Sequence, residues 1–203
     1  DLDLAARPQD GDGSGSAVAD MGCYEFVPGQ VLTCTFSTTN SVIGVNALSN
    51  VLFRAIVTGP PGSTNVTYYW WTFGSGTTPQ EGATLSNAVN TFGPGIYDIS
   101  LTISNSLGQV TNAVKTAYIQ VTADTTFVAT NGGAVFPYNT WSRAATNPAP
   151  AFAALVQAFN YGATNGALWI SNGTYILDAH LNMSYPVRVQ SMNGATNTIL
   201  KRG

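Results

Sequence analysis

The chain has 203 residues, enough for one large or two small domains, and 44% of them are hydrophobic, enough for a folded core. Only 8% are charged, well below the usual share of about a quarter, so surface polarity falls to Thr, Ser, Asn and Gly, as in secreted β-rich proteins. A net charge of −3 gives no basic footprint for nucleic acid. No apolar run approaches the ~18 residues of a membrane span, and the polar, acidic N-terminus is no signal sequence, so any export signal is expected outside this sequence.

Residues 1–30 are rich in Asp, Gly and Ser up to Ser16 and do not read as part of a compact core. Asp10, Asp12 and Ser14 set oxygens at alternate positions and Gly15 stands at the sixth, the first half of a calcium-loop pattern. The twelfth position, where a bidentate Glu belongs, holds Met21, with Asp20 beside it as a substitute. Calcium is the sole cofactor this pattern suggests, and a solvated acidic loop explains the same residues. The following Asp20-Met21-Gly22-Cys23-Tyr24-Glu25-Phe26, with the Asp/Gly loop before it, resembles the signature closing the last coil of bacterial surface β-helix proteins of the pectate-lyase-like class. That resemblance implies that residues 1–30 are the C-terminal tail of a preceding β-helix. The two cysteines, Cys23 and Cys34, flank Pro28-Gly29, which could fold them back towards one another. A disulfide in an oxidising compartment and a pair of buried thiols both fit.

From residue 31 the pattern becomes that of strands. Val51–Val57 is one, closed by Gly59-Pro60-Pro61-Gly62. In Tyr68-Tyr69-Trp70-Trp71-Thr72-Phe73 the alternation of a strand sends Tyr69, Trp71 and Phe73 to one face and Tyr68, Trp70 and Thr72 to the other. The first face is expected to be core, leaving Trp70 outside. Gly74 and Gly76 supply the turn, Ile96–Ile103 is a β-branched and aromatic strand, Asn105-Ser106-Leu107-Gly108 is a second turn, and Val110–Val121 follows. Short strands with regular turns make a sandwich.

The run Y-x-W-x-F-G-x-G over Tyr69–Gly76, then G-x-Y-x-x-x-L-x-I over Gly95–Ile103, resembles the polycystic kidney disease (PKD) domain, an immunoglobulin-like extracellular module. Ser75 stands where that family usually has Asp. The resemblance implies an Ig-like sandwich over about residues 31–122 that spaces or binds and does not catalyse. It also implies that the outward Tyr68 and Trp70 contact polysaccharide; packing on a neighbouring module or cell-surface protein, and ordinary packing of the second face, explain the same pair.

The last segment, residues 123–203, changes character. Phe152, Leu155, Val156 and Phe159 fall at i, i+3, i+4 and i+7, which predicts an amphipathic helix over about 149–160 with Pro148 and Pro150 at its first turn. Thr126–Ala129 and Gly132-Gly133 lead into it, and short strands are expected after it at Ala167–Tyr175, Val187–Ser191 and Thr198–Leu200. A capping helix, a strand ending in Asn172-Gly173-Thr174-Tyr175 and further short strands resemble the opening coils of a right-handed parallel β-helix. Such coils bury their apolar side chains against stacked neighbours. The whole is expected to be an all-β fragment of a longer array, β-helix, PKD module, β-helix, whose partners are the adjoining β-helix domains of the same protein.

No catalytic set can be read. Glu81, expected in a loop, and Asp98, in a strand, have no spacing that makes them a glycosidase pair. Asp178 and His180 lie two apart and read as surface loop, and one histidine with two cysteines makes no zinc-type cluster. The expectation is a non-catalytic structural or adhesive module, extracellular or on a bacterial surface. The rivals are a carbohydrate-binding module and a piece of a polysaccharide-degrading β-helix enzyme, lyase or hydrolase, with its catalytic coils elsewhere.

Overall fold

The computed structural model describes residues 31–177 and 180–203. The reading of residues 1–30 as a β-helix tail, with Asp10, Asp12, Ser14, Asp20 and Cys23, lies outside the described residues, as does Asp178. The central unit is built from β1 (Thr33–Thr38), β2 (Ile43–Val45), β3 (Leu48–Thr58), β4 (Val66–Thr72), β5 (Gln80–Gly82), β6 (Asn87–Phe92), β7 (Gly95–Asn105) and β8 (Val110–Thr122). They form a three-stranded sheet, β1-β3-β6, and a five-stranded sheet, β2-β8-β7-β4-β5. All neighbours are antiparallel except β2, which lies parallel to β8 at the sheet edge.

The alternation along β4 does what the sequence requires of it. Trp71 and Phe73 are fully buried and Tyr69 packs partly buried beside them, against Ile99, Leu101 and Ile103 of β7 and Phe36 and Phe53 of the opposite sheet. Phe36 meets the Trp71 ring edge-on at 5.5 Å, Phe53 lies 6.0 Å from it, and Trp71 Nε1 donates to Leu85 O at 2.9 Å. The indole therefore carries its one polar atom into the core with a partner, as burial demands. Gly74 takes φ +85° at the end of this strand, where a Cβ would also press on Tyr97 at 3.2 Å.

The pairing of β7 with β8 is interrupted once. Tyr97 faces Ile119 and Ile99 faces Lys115, so β8 carries extra residues opposite Asp98. There Ala117 adopts φ +48°, and its N–H donates to Asp98 Oδ1 at 2.7 Å. The carboxylate holds the bulge. At the far end of the hairpin, buried Asn105 donates through Nδ2 to Ser63 O and Gln109 Oε1, both at 2.8 Å, and its Oδ1 accepts from Leu107 N and Gln109 N. The β7–β8 turn is thus closed by one side chain. Cys34, in β1, is half-buried, and burial raises its thiol pKa against an opposing hydrogen bond from Thr111. It has no disulfide partner among the described residues.

The second unit contains β9 (Thr125–Val128), α1 (Pro148–Asn160), β10 (Gly166–Ile170), β11 (Gly173–Leu177), β12 (Val187–Ser191) and β13 (Thr198–Arg202). Asn147 caps α1 by accepting from Ala149 N at 2.9 Å, and Pro148 opens it. Phe152 and Leu155 are buried, with Val156 packed beside them. Pairing is all parallel, β12-β10-β9 in one sheet and β11-β13 in another. The chain therefore winds in one sense, β10 to β11, then β12 to β13.

One expected strand is two. Ala167–Tyr175 breaks at Ser171-Asn172, because pairing changes partner there: Ser171 N donates to Val128 O at 2.9 Å, and Gly173 N to Asn197 O at 2.9 Å. Gly173 turns the corner at φ +145°. Strands β2, β5, β6 and β9 are not expected from the sequence, being short, polar or both.

Candidate functional site

Tyr68 and Trp70 stand on the outer face of the five-stranded sheet, 40% and 49% exposed. Their neighbours follow from register. Trp70 lies opposite Glu81 of β5 and Thr102 of β7, and Tyr68 opposite Ser104. Further across, Asn112 of β8 faces Thr102, Val110 faces Ser104 and Val114 faces Ser100. Thr72 and Ser100 share a 2.6 Å hydroxyl contact at the edge of this patch. The result is a pleated platform with two large rings among hydroxyls, an amide and two exposed valines.

Glu81 is a residue whose place the sequence did not reveal. It is in a strand and not a loop, and strand pairing brings it beside Trp70 and Tyr68. Partial desolvation first, then the charge and acceptor oxygens of Glu81, raise the Tyr68 pKa. The positions across from Glu81 are Trp70, then Thr102 and Asn112, which carry no carboxylate. Along this row Glu81 has no second carboxyl of the kind that glycoside hydrolysis pairs.

The units meet at a joint. Only Ala123 and Asp124 separate β8 from β9. Asn46 and Asp124 bond reciprocally, Nδ2 to Oδ2 at 2.8 Å and Asp124 N to Asn46 Oδ1 at 3.1 Å. Tyr161 Oη, beyond α1, donates to Gln120 Oε1 at 3.2 Å and accepts from Gln157 Nε2 at 2.9 Å. On the other flank Arg143 donates to Pro94 O of the sandwich at 3.3 Å and to Phe136 O of its own unit. Burial raises the pKa of Tyr97 beside it, opposed by the Arg143 charge.

His180 is exposed. Among the described residues no group of three or more His, Cys, Asp and Glu could hold a metal ion. No described helix is long and apolar enough to cross a membrane.

The geometry defines an immunoglobulin-like sandwich carrying an aromatic outer face. Residues 35–117 match the family model described as PKD domain. No curated protein matches the chain. PKD domains occur in extracellular proteins as adhesive or structural modules and are generally non-catalytic.

Proposed function

We propose that this chain is a non-catalytic extracellular module in which the PKD-type sandwich is a rigid spacer for β-helix units. The observation that carries the reading is the joint: a two-residue connection, buttressed on both flanks by Asn46–Asp124, Gln120–Tyr161 and Arg143–Pro94. A flexible tether would be long and rich in Gly and Ser. The all-parallel winding of β9 to β13 supports the second unit as the opening of a parallel β-helix. Exposed Val189, Met192, Ile199 and Leu200 on and beside its outer strands suit contact with a neighbouring coil. Small-angle scattering tests the spacer. The intact chain should give one narrow distance distribution, and the double variant N46A/R143A a broader one with β-content unchanged. A broad distribution in the unaltered chain would sink the reading.

The outer aromatic face favours polysaccharide contact as the adhesive element, because Tyr68 and Trp70 offer ring faces among hydroxyl-bearing neighbours. Trp70→Ala should cut retention on insoluble polysaccharide by about tenfold, the loss of one stacking anchor. Its Tm should change by less than about 2 °C, since the side chain is a surface one. Equal retention of both forms, or none by either, would remove carbohydrate contact at this face.

A further inference from the structure

The second unit carries an open groove of about 470 Å³, lined by Thr130, Asn131, Trp141, Asn172, Met192 and Asn193 among others. It lies where the chain leaves β9, β10 and β12 at corresponding points. Val128 pairs with Ile170 and Ile170 with Ser191, so Thr130, Asn172 and Asn193 occupy equivalent positions two residues further on. One polar side chain is thus contributed by each turn of the winding, and Trp141 stands beside the row.

The geometry points to this groove as a binding site for a neutral oligosaccharide. None of the groove's lining residues is charged, so neither an anion nor a cation is selected. What it offers is an indole, three carboxamides and two hydroxyls. Sugars present hydroxyls that donate and accept together with a C–H face that packs on an aromatic ring. Carboxamides match the first because each carries donors and an acceptor, and the indole matches the second. A volume of 470 Å³ lies within the ~300–1,000 Å³ of small-ligand sites.

The groups are also held in place before any ligand arrives. Trp141 opens a 3-10 turn capped by Thr140, whose Oγ1 accepts from Arg143 N at 3.3 Å, and its ring packs edge-on against Phe127 at 4.6 Å. Asn193 Nδ2 donates to Asn172 Oδ1 at 3.0 Å. Among the described residues no hydrogen bond uses Asn172 Nδ2 or Asn193 Oδ1, which leaves a donor and an acceptor for a ligand. Fixing these side chains in advance lowers the ordering cost of binding. The aromatic that matters escaped the sequence reading because its partners come from chain segments far from it.

The site is independent of the sandwich face, and the test keeps the two apart. Neutral hexaoses of β-1,4-linked glucose, xylose and mannose, with hexagalacturonate as the charged counter-probe, are titrated into 15N-labelled full chain while the indole N–H signals are followed. The signals are assigned by single substitutions. The expected result is a saturable shift of the Trp141 signal with at least one neutral hexaose and none with hexagalacturonate, retained in Trp70→Ala. Trp141→Ala should weaken that binding by about tenfold or more, with the Trp71 signal unmoved as proof of an intact core. A shift confined to Trp70 would place sugar binding on the sandwich alone and overturn the groove. So would a response only to hexagalacturonate, or no response at Trp141 to any hexaose.

Discussion

Trp71→Ala is expected to lower the unfolding free energy of the sandwich by about 3–5 kcal/mol, the range for removing a buried aromatic side chain. The indole is fully buried, contacts Phe36 and Phe53 of the opposite sheet and Phe73 just beyond its own strand, and donates to Leu85 O. Its removal leaves a cavity between Phe36, Phe53 and Phe73 and orphans a carbonyl oxygen. Against a total stability of about 5–15 kcal/mol for a domain, the change brings the unit near its threshold. Urea denaturation of Trp71→Ala and Trp70→Ala, side by side, checks it. The neighbouring substitution should stay within about 0.5 kcal/mol of the unaltered chain. A cost below about 1 kcal/mol at Trp71 would mean that the core is not organised around this ring.

Gly132→Ala is expected to disrupt the second unit while sparing the first. A Cβ at this position would lie 2.1 Å from Ala144 O and 2.7 Å from Ala144 C, both backbone atoms. The two segments cannot easily part. Gly133 N donates to Ser142 O at 3.0 Å, Ala134 N to Ala144 O at 2.9 Å and Ala129 N to Ala145 O at 2.9 Å. Relief of the overlap breaks some of these bonds, at a cost of about 3 kcal/mol. The same segment presents Trp141 and Arg143, so the groove and one flank of the joint should loosen together. Hydrogen exchange gives the readout: amides of Gly133 and Ala134 should lose protection, and those of β7 and β8 should keep it. Uniform protection across both units would show that the close approach at Gly132 is not required.

These outcomes differ in how far the sequence anticipates them. The contrast of Trp71 and Trp70 follows from strand alternation alone, since each residue's face is fixed by its neighbours in the chain. The helix was legible for the same reason, from four apolar residues at helical spacing and prolines at its start. Glu81 was not, because nothing in Gln80-Glu81-Gly82 announces a strand, and only pairing with β4 brings the carboxylate beside the aromatic pair. The break at Asn172 was hidden too. Its cause is a change of hydrogen-bond partner from Val128 to Asn197, and neither is a local neighbour.

By itself the sequence determined an all-β chain with a PKD-like centre, the buried and exposed faces of its aromatic strand, and a helix ahead of short strands. All of these are written in local periodicity and turn chemistry. Tertiary structure alone decided which strands pair, where the parallel winding turns its corners, and how the two units lock. The Asn46–Asp124 bonds join residues 78 positions apart, and a contact of that span leaves no periodic trace, because it depends on two surfaces that exist only after each unit has folded.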